Sequence, residues 1–373
     1  MQLAIMDAGF YHYQSLPTFD SVRKNQQILG TWDFVANEVS VNEDFAHGMN
    51  CFSTIAANIP GTFVGTAPAT SFYLFRTEDV SSEYPVEEQN FAAAAERADS
   101  LGVDVFSVSL GYTTFSNSLF NYTYNDMNGN TTISARAADF AAKKGVFVTV
   151  AAGNEGSSSW HYITTPADAD SVLTVGAVAL NRQVALFSSF GPSSDGQIKP
   201  AVAAVGSGAV IANQSTGFPS YGNGTSYSCP IMAGVATCLW QAFPEVNNMG
   251  IIDALEKSAD RFTTPDDRTG FGIPDVKKAF VQLIKKLYKQ QISISNSCKT
   301  NIGFTVKIAT DMNIEVERKL PSDAAYKTIS MLTPANSFAA TSFAIEDDLN
   351  DLQSDIAIKY RIKMIIAADT SFY

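Results

Sequence analysis

The chain has 373 residues, enough for one large domain and a smaller one at roughly 150 residues per domain. Hydrophobic residues make up 46% and charged residues 17%, which excludes disordered and fibrous classes and allows a sizeable buried core. The 25 basic against 37 acidic residues give a net charge of −12, which disfavours nucleic acid and anionic membranes as partners. The apolar runs are shorter than the roughly 20 residues of a membrane-spanning helix, so we expect no membrane span.

From residue 3 to about 180, short apolar runs alternate with helix-like segments, a pattern typical of parallel strands joined by right-handed crossovers. Helices are predicted over Glu87–Ser100 and Ile133–Lys144, which both end just before a glycine-containing break. The predicted strands are Leu3–Met6, Phe72–Arg76, Val103–Ser109, Val146–Val150 and Val172–Val178. The alternation predicts an α/β fold with a mostly parallel central sheet.

After about residue 290 the sequence changes to strict alternation of apolar and polar residues, as in Phe304–Ile308 and Ile356–Ile362. We therefore expect an α/β domain over residues 1–289 and a small antiparallel β-sandwich over residues 290–373. The chain is already in a strand-like run at residue 3, with no signal-like segment before it, so we expect that upstream sequence has been removed.

An aspartate and a histidine stand at the boundaries of two predicted elements. Asp7 ends the first strand before Ala8-Gly9, at the edge where α/β sites form, although Asp before Gly is also common turn chemistry. His47 begins an amphipathic helix, where the imidazole would be rigidly placed, although a lone histidine is more often an ordinary surface or core residue.

A serine and an asparagine stand at two further boundaries. Ser226 follows a glycine-bearing loop and opens an apolar helix, whose N–H groups favour a developing oxyanion; a helix N-cap is the simpler alternative. Asn154 follows the strand Val146–Val150 between glycines, where its amide would be aimed at an oxyanion or would only stabilise a turn.

Taken together, these segments resemble the subtilisin-like serine proteases, the subtilases, over about residues 3–282. The order aspartate, histidine, serine agrees with that family. Ala8, Met49 and Cys229 depart from its commonest pattern but leave the reacting groups intact. The matching segments are Ile5–Gly9, His47-Gly48, Ala152–Asn154 and Gly224–Pro230.

The resemblance implies a secreted serine endopeptidase with a three-layer subtilisin-like domain. Ser226 would be the nucleophile, His47 the base and Asp7 its orienting carboxylate, with Asn154 in the oxyanion hole. A histidine near its ordinary pKa of about 6.5 would make activity rise through roughly pH 6–7.5. The resemblance also implies a free, buried thiol at Cys51, one helical turn after His47.

The resemblance further implies two substrate-binding walls, Ser109-Leu110-Gly111 and Ala151-Ala152-Gly153. Because neither wall carries a charge, we expect apolar or aromatic residues to be preferred before the scissile bond. The partners would be protein or peptide substrates, the chain would be a monomer, and the chemistry would need no cofactor. Structural calcium stays open, although the segment before the aspartate strand is nearly absent and no D-x-D-x-D-G loop occurs.

Two other functions could be served by a chain with these motifs. A non-catalytic binding module with the same fold would have lost a member of the triad, and none is lost. A serine esterase of the α/β-hydrolase kind would need a G-x-S-x-G elbow and its histidine last in the chain, and neither condition holds.

Overall fold

The computed structural model describes residues 1–42, 45–295, 298–308, 312–335, 339–350, 356–366 and 369–372. The chain forms two compact units, residues 1–276 and 277–373. This division falls earlier than the boundary expected after residue 289, because the helix that begins at Val276 is grouped with the second unit.

The first unit contains helices α1 (Asp20–Lys24), α2 (His47–Ala56), α3 (Val86–Ser100), α4 (Ile133–Lys143), α5 (Thr225–Ala242) and α6 (Asn248–Ser258). Its strands are β1 (Gln2–Asp7), β2 (Ile28–Asp33), β3 (Asn58–Ile59), β4 (Phe63–Val64), β5 (Ser71–Arg76), β6 (Val105–Val108), β7 (Phe147–Ala151), β8 (Leu173–Ala179), β9 (Val202–Ala212) and β10 (Pro219–Asn223).

The core of the first unit is an eight-stranded sheet in the order β10-β9-β8-β7-β6-β1-β5-β2. Its strands pair in parallel except β9 and β10, which are antiparallel. The central strands are buried almost throughout because helices pack on the sheet, with α3 against α4 and α2 against α5. The predicted α/β class with a mostly parallel sheet is therefore confirmed. The sheet also brings the carboxyl ends of β1, β6 and β7 to one edge.

Helix α7 (Val276–Leu287) starts at the last residue of the first unit, and the rest of it opens the second unit, which continues in antiparallel strands. Alternate side chains of the predicted run, Phe304, Val306 and Ile308, are buried, as the sequence alternation predicted. The strands form two sheets, in the orders β11-β12-β15 and β14-β13-β16-β17. They are β11 (Lys289–Ser295), β12 (Lys299–Lys307), β13 (Met312–Lys319), β14 (Lys327–Leu332), β15 (Ala340–Asp348), β16 (Lys359–Ile366) and β17 (Asp369–Phe372).

No helix within the described ranges has both the length and the apolar character that crossing a membrane requires.

Candidate active site

Asp7 and His47 are hydrogen-bonded at the carboxyl end of the parallel sheet. Asp7 is the last residue of β1 and is buried, and its Oδ1 lies 2.6 Å from His47 Nδ1. The same oxygen accepts the Ala8 N–H at 2.7 Å, whereas Oδ2 is buried without a hydrogen-bond partner. The two residues that the sequence placed at element boundaries are therefore in direct contact.

Gly48 makes this close approach of helix and strand possible. A Cβ atom at that position would lie 2.6 Å from the Gly9 carbonyl oxygen and 2.9 Å from the Cβ of Asp7. Both distances are shorter than any van der Waals contact, so a larger residue would push α2 away from β1. The glycine after the histidine thus positions the imidazole against Asp7.

The electrostatics of His47 are dominated by burial and by the Asp7 carboxylate. Burial disfavours the imidazolium, but the Asp7 charge and hydrogen bond, together with Cys51, outweigh it and raise the pKa of His47 well above its ordinary value. With Nδ1 donating to Asp7, the neutral imidazole presents Nε2 as an acceptor. This is the arrangement that a general base needs.

The Cys51 thiol contacts both His47 and the backbone of Ser226. Its Sγ is 3.9 Å from His47 Nδ1, and its thiol donates to the backbone carbonyl of Ser226 at 3.1 Å. Burial raises the pKa of Cys51 to about 11, so the group remains a thiol near neutral pH. The prediction of a free, buried cysteine beside His47 is confirmed.

Ser226 is the second residue of α5, at the helix N-terminus. Its carbonyl accepts the Ser109 hydroxyl at 2.9 Å in addition to the Cys51 thiol, which fixes the first turn of α5 against β6 and α2. The ring of Tyr227, the next residue, lies 6.0 Å from the ring of His47. The structure thus brings Ser226 to the same edge of the sheet as Asp7 and His47.

The side-chain oxygen of Asn154 is bonded to the start of α5. Its Oδ1 accepts the Thr225 N–H at 2.9 Å and the Thr225 hydroxyl at 3.1 Å, so that Nδ2 is left free to donate. A Cβ atom built on Gly224 would lie 3.8 Å from this Nδ2 and 3.7 Å from the Ser226 backbone nitrogen. The Asn154 amide nitrogen and the Ser226 backbone nitrogen therefore both lie close to Gly224.

The six residues predicted as substrate walls lie at the carboxyl ends of the neighbouring strands β6 and β7. Ser109, Leu110 and Gly111 follow β6 and line a cavity together with Asp7 and His47. Ala151 ends β7, the Ala152 N–H donates to Val175 at 3.0 Å, and the Gly153 N–H donates to the Thr225 hydroxyl at 3.2 Å. The second wall is thereby tied to the start of α5.

Acidic side chains that the sequence reading missed line the same cavity of about 230 Å³. Burial raises the pKa of Glu78 to about 8 and that of Glu83 to about 7, and the neighbouring Glu87 adds repulsion. In the sequence, this cavity is indicated only by the many acidic residues from Glu78 to Glu88, which follow β5 and include the first turn of α3. Nothing local in that segment shows that it packs beside His47.

The Asp7, His47 and Cys51 side chains form one group of potential metal ligands within the described ranges, with ligand atoms inside 4.8 Å of one another. One carboxylate, one imidazole and one thiol do not suit calcium, which prefers six to eight oxygen ligands. This group therefore gives no support to a calcium site, and the Asp7–His47 bond accounts for its geometry.

The comparison with protein families decides the assignment of the chain. The profile of the subtilase family matches residues 1–272. The chain belongs to the subtilase family. Subtilisin NAT of Bacillus subtilis subsp. natto is 32% identical to this subtilase over 268 residues, which cover 69% of this chain and 60% of that protein. Subtilisin DY of Bacillus licheniformis is 30% identical over 236 residues, which cover 62% of this chain and 77% of that protein. The match spans less than two thirds of subtilisin NAT.

Solved structures share the fold of this subtilase. Patellamide maturation protease PatA superposes with a TM-score of 0.58 at 22% identity, covering 76% of this chain and 96% of that chain. MycP1 from Mycobacterium smegmatis gives a TM-score of 0.58 at 22% identity, covering 75% of this chain and 79% of that chain. At this level of identity the likeness concerns the fold alone.

Proposed function

We propose that this subtilase is a serine endopeptidase that hydrolyses peptide bonds through an Asp7-His47-Ser226 triad and an acyl-enzyme intermediate. The observation that carries the proposal is the 2.6 Å hydrogen bond between Asp7 and His47, beside the N-terminus of the helix that bears Ser226. The Cys51 thiol, which contacts both His47 and the Ser226 carbonyl, links the two halves of this arrangement.

In the first half-reaction, the Ser226 Oγ attacks the carbonyl carbon of the scissile bond while His47 Nε2 takes its proton. The carbonyl π electrons move to the oxygen, and Asn154 Nδ2 and the Ser226 N–H stabilise that negative charge. The intermediate collapses, the C–N bond breaks, and the imidazolium gives its proton to the leaving amine. Asp7 stays ionised throughout and holds the imidazole by its Nδ1–H.

In the second half-reaction, water replaces the serine hydroxyl as nucleophile and His47 again takes the proton. The ester bond to Ser226 then breaks, and the proton returns to its Oγ. No step needs a metal ion or an organic cofactor, and any calcium would have a structural role.

We infer that the substrates are proteins or peptides bound in extended form. Ser109-Leu110-Gly111 would pair with the substrate backbone as an added strand, and Ala151-Ala152-Gly153 would form the opposite wall. We also propose that the enzyme acts as a monomer and outside the cytoplasm, where an unrestrained protease does no harm to its host.

Labelling with a fluorophosphonate probe tests the proposal directly. Intact protein should gain one adduct on Ser226, and Ser226→Ala protein should gain none and should cleave casein no faster than buffer. Ser228→Ala is the matched control, because Ser228 is buried in the same helix and donates to the Thr225 carbonyl. An unlabelled wild-type protein, or labelling that persists in Ser226→Ala, would overturn the assignment.

A further inference from the structure

The cavity of about 230 Å³ beside His47 adjoins the first substrate wall, Ser109-Leu110-Gly111, which forms part of its lining. Other residues of the lining are Asp7, which ends β1, and Glu78, which follows β5. In the sheet, β6 lies between β7 and β1. A peptide strand paired with the first wall would therefore have the second wall, which follows β7, on one side and this cavity on the other.

The cavity carries five carboxyl groups, and the described residues of its lining include no lysine or arginine. Burial raises the pKa of Glu78 to about 8 and that of Glu83 to about 7, and repulsion from Glu87 adds to both shifts. A cation placed among these groups would favour their ionised forms and would be attracted by them. The five carboxyl groups belong to Asp7, Glu78, Asp79, Glu83 and Glu87.

One of these carboxyl groups is fully used in holding the backbone. Glu87 Oε1 accepts the Asp79 N–H at 2.8 Å, and its Oε2 accepts the Tyr84 N–H at 3.1 Å. Glu87 thus fixes the segment between β5 and α3, which carries Glu78 and Glu83 into the cavity. Its role is structural.

Glu78 and Glu83, in contrast, keep carboxyl oxygens without a partner. Glu78 Oε1 accepts the hydroxyls of Thr77 at 2.7 Å and Tyr112 at 2.8 Å, which hold the side chain in place. Within the part of the chain that the structure describes, Glu78 Oε2 and the Glu83 carboxyl accept no hydrogen bond. Asp7 Oδ2, on the same cavity, is also buried without a partner. These oxygens are available to a donor from a bound molecule.

The carboxyl groups do not converge as they would around a metal ion. Within the described ranges, the one group of three potential metal ligands consists of Asp7, His47 and Cys51, and it contains neither Glu78 nor Glu83. Carboxyl groups spread along a cavity suit a side chain that ends in several N–H donors, such as the guanidinium of arginine or the ammonium of lysine.

We propose that Glu78 and Glu83 select a basic side chain, arginine or lysine, at the second residue before the scissile bond. This inference rests on the proposed function, because it takes the two walls as the segments that bind the substrate strand. Successive side chains of an extended strand point to opposite sides. When the residue before the scissile bond enters the space between the two walls, the residue preceding it faces the acidic cavity beside His47.

The test is a series of peptides that differ only in the second residue before the cleaved bond: Arg, Lys, norleucine or citrulline, the uncharged analogue of arginine. At pH 8, wild-type enzyme should cleave the Arg peptide with a kcat/KM at least about tenfold higher than that of the citrulline peptide. Glu78→Gln should lower this Arg/citrulline ratio about tenfold and Glu83→Gln about threefold. Glu96→Gln, at an exposed position of α3, is the matched control and should leave the ratio unchanged.

Several outcomes would overturn the inference while leaving the proposed function standing. These are a wild-type Arg/citrulline ratio near 1, a ratio that neither Glu78→Gln nor Glu83→Gln lowers, or a preference for arginine that appears only when it stands at another position of the peptide. If Glu78→Gln fails to fold, an unchanged ratio in Glu83→Gln enzyme has the same meaning. Wild-type enzyme that cleaves none of the peptides and takes up no fluorophosphonate would instead refute the proposed function, and the inference would fall with it.

Discussion

Acidic side chains of the second unit have different neighbours from those that line the cavity beside His47 in the first unit. In the second unit, Glu317 pairs with Arg361, and Glu315 with Lys363 at 3.0 Å, between neighbouring strands β13 and β16. Arg318 pairs with Asp347 at 2.8 Å and links the two sheets of that unit. Each of these acidic side chains therefore has a basic partner within the second unit.

In the first unit, the acidic side chains beside His47 line one cavity. Arg76 lies near Asp79 but is bonded to Asp33 at 2.7 Å. Glu78 and Glu83 have raised pKa values because they are buried close to other carboxyl groups. Shifted pKa values of this kind concentrate at functional sites, where the fold accepts a cost in stability. Within the described ranges, Glu78 and Glu83 thus have no basic partner, whereas Asp7 in the same cavity is bonded to His47.

Replacing Asp7 by Asn should have the largest effect, because it removes the one charge paired with His47. We expect kcat to fall about 10⁴-fold, since the amide no longer holds the imidazole in the tautomer that leaves Nε2 free. A neutral imidazole is needed as base, and the Asp7 charge raises the pKa of His47. Wild-type activity should therefore rise with pH on the alkaline side of about 6.5, the ordinary pKa of histidine.

The pH profile of kcat/KM separates this electrostatic role from a structural one. In Asp7→Asn enzyme the rising limb should move to lower pH, because the group that raised the pKa of His47 is gone. A folded variant whose limb stays where the wild-type limb lies would show that Asp7 does not control the base.

Asn154→Ala should have the next largest effect on activity, because it removes the side-chain amide beside Ser226. We expect kcat to fall about 10²–10³-fold with little change in KM, the effect found when an oxyanion-hole donor is removed from a subtilisin. Thr225→Val serves as the comparison, because it removes the hydroxyl that orients Asn154 and leaves the amide in place; its loss should be about tenfold or less. A rise in KM alone would make Asn154 a binding residue.

Sequence reasoning predicted the parts of the site that are encoded locally. The predicted boundaries of β1 and α2 placed Asp7 and His47 correctly, whereas the need for a glycine at position 48 follows only from the structure. Strands such as β2 and β9 were missed, because their apolar residues are interrupted by glycine and polar residues. The acidic cavity was missed because it depends on contacts between segments distant in the chain.

Glu83→Gln should increase the stability of the protein at high pH. The pKa of Glu83 rises from 4.5 to about 7 on folding, so ionisation of this group opposes folding. The cost is absent well below pH 4.5, grows between the two values and is complete above pH 7. The variant should therefore be more stable than wild type by about 1–3 kcal/mol at pH 9 and nearly equal to it at pH 4.

Urea unfolding at the two pH values measures this difference. Glu96→Gln is the matched control, because Glu96 is an exposed residue of α3, and this change should alter the stability equally little at both pH values. If Glu83→Gln gave no gain at pH 9, the carboxyl would have a favourable partner and the contrast between the units would fail for it.

The smallest effect on activity should come from the second unit. Ile5 in β1 and Ile314 in β13 are both fully buried, so truncating either to Ala should destabilise its own unit by about 2–5 kcal/mol. Every residue proposed for catalysis or substrate binding lies in the first unit, so only Ile5→Ala should lower the temperature at which short-peptide activity is lost. Ile314→Ala enzyme should keep kcat/KM within about twofold of wild type at 25 °C. If both variants lost activity at the same temperature, the second unit would be needed to maintain the proposed active site.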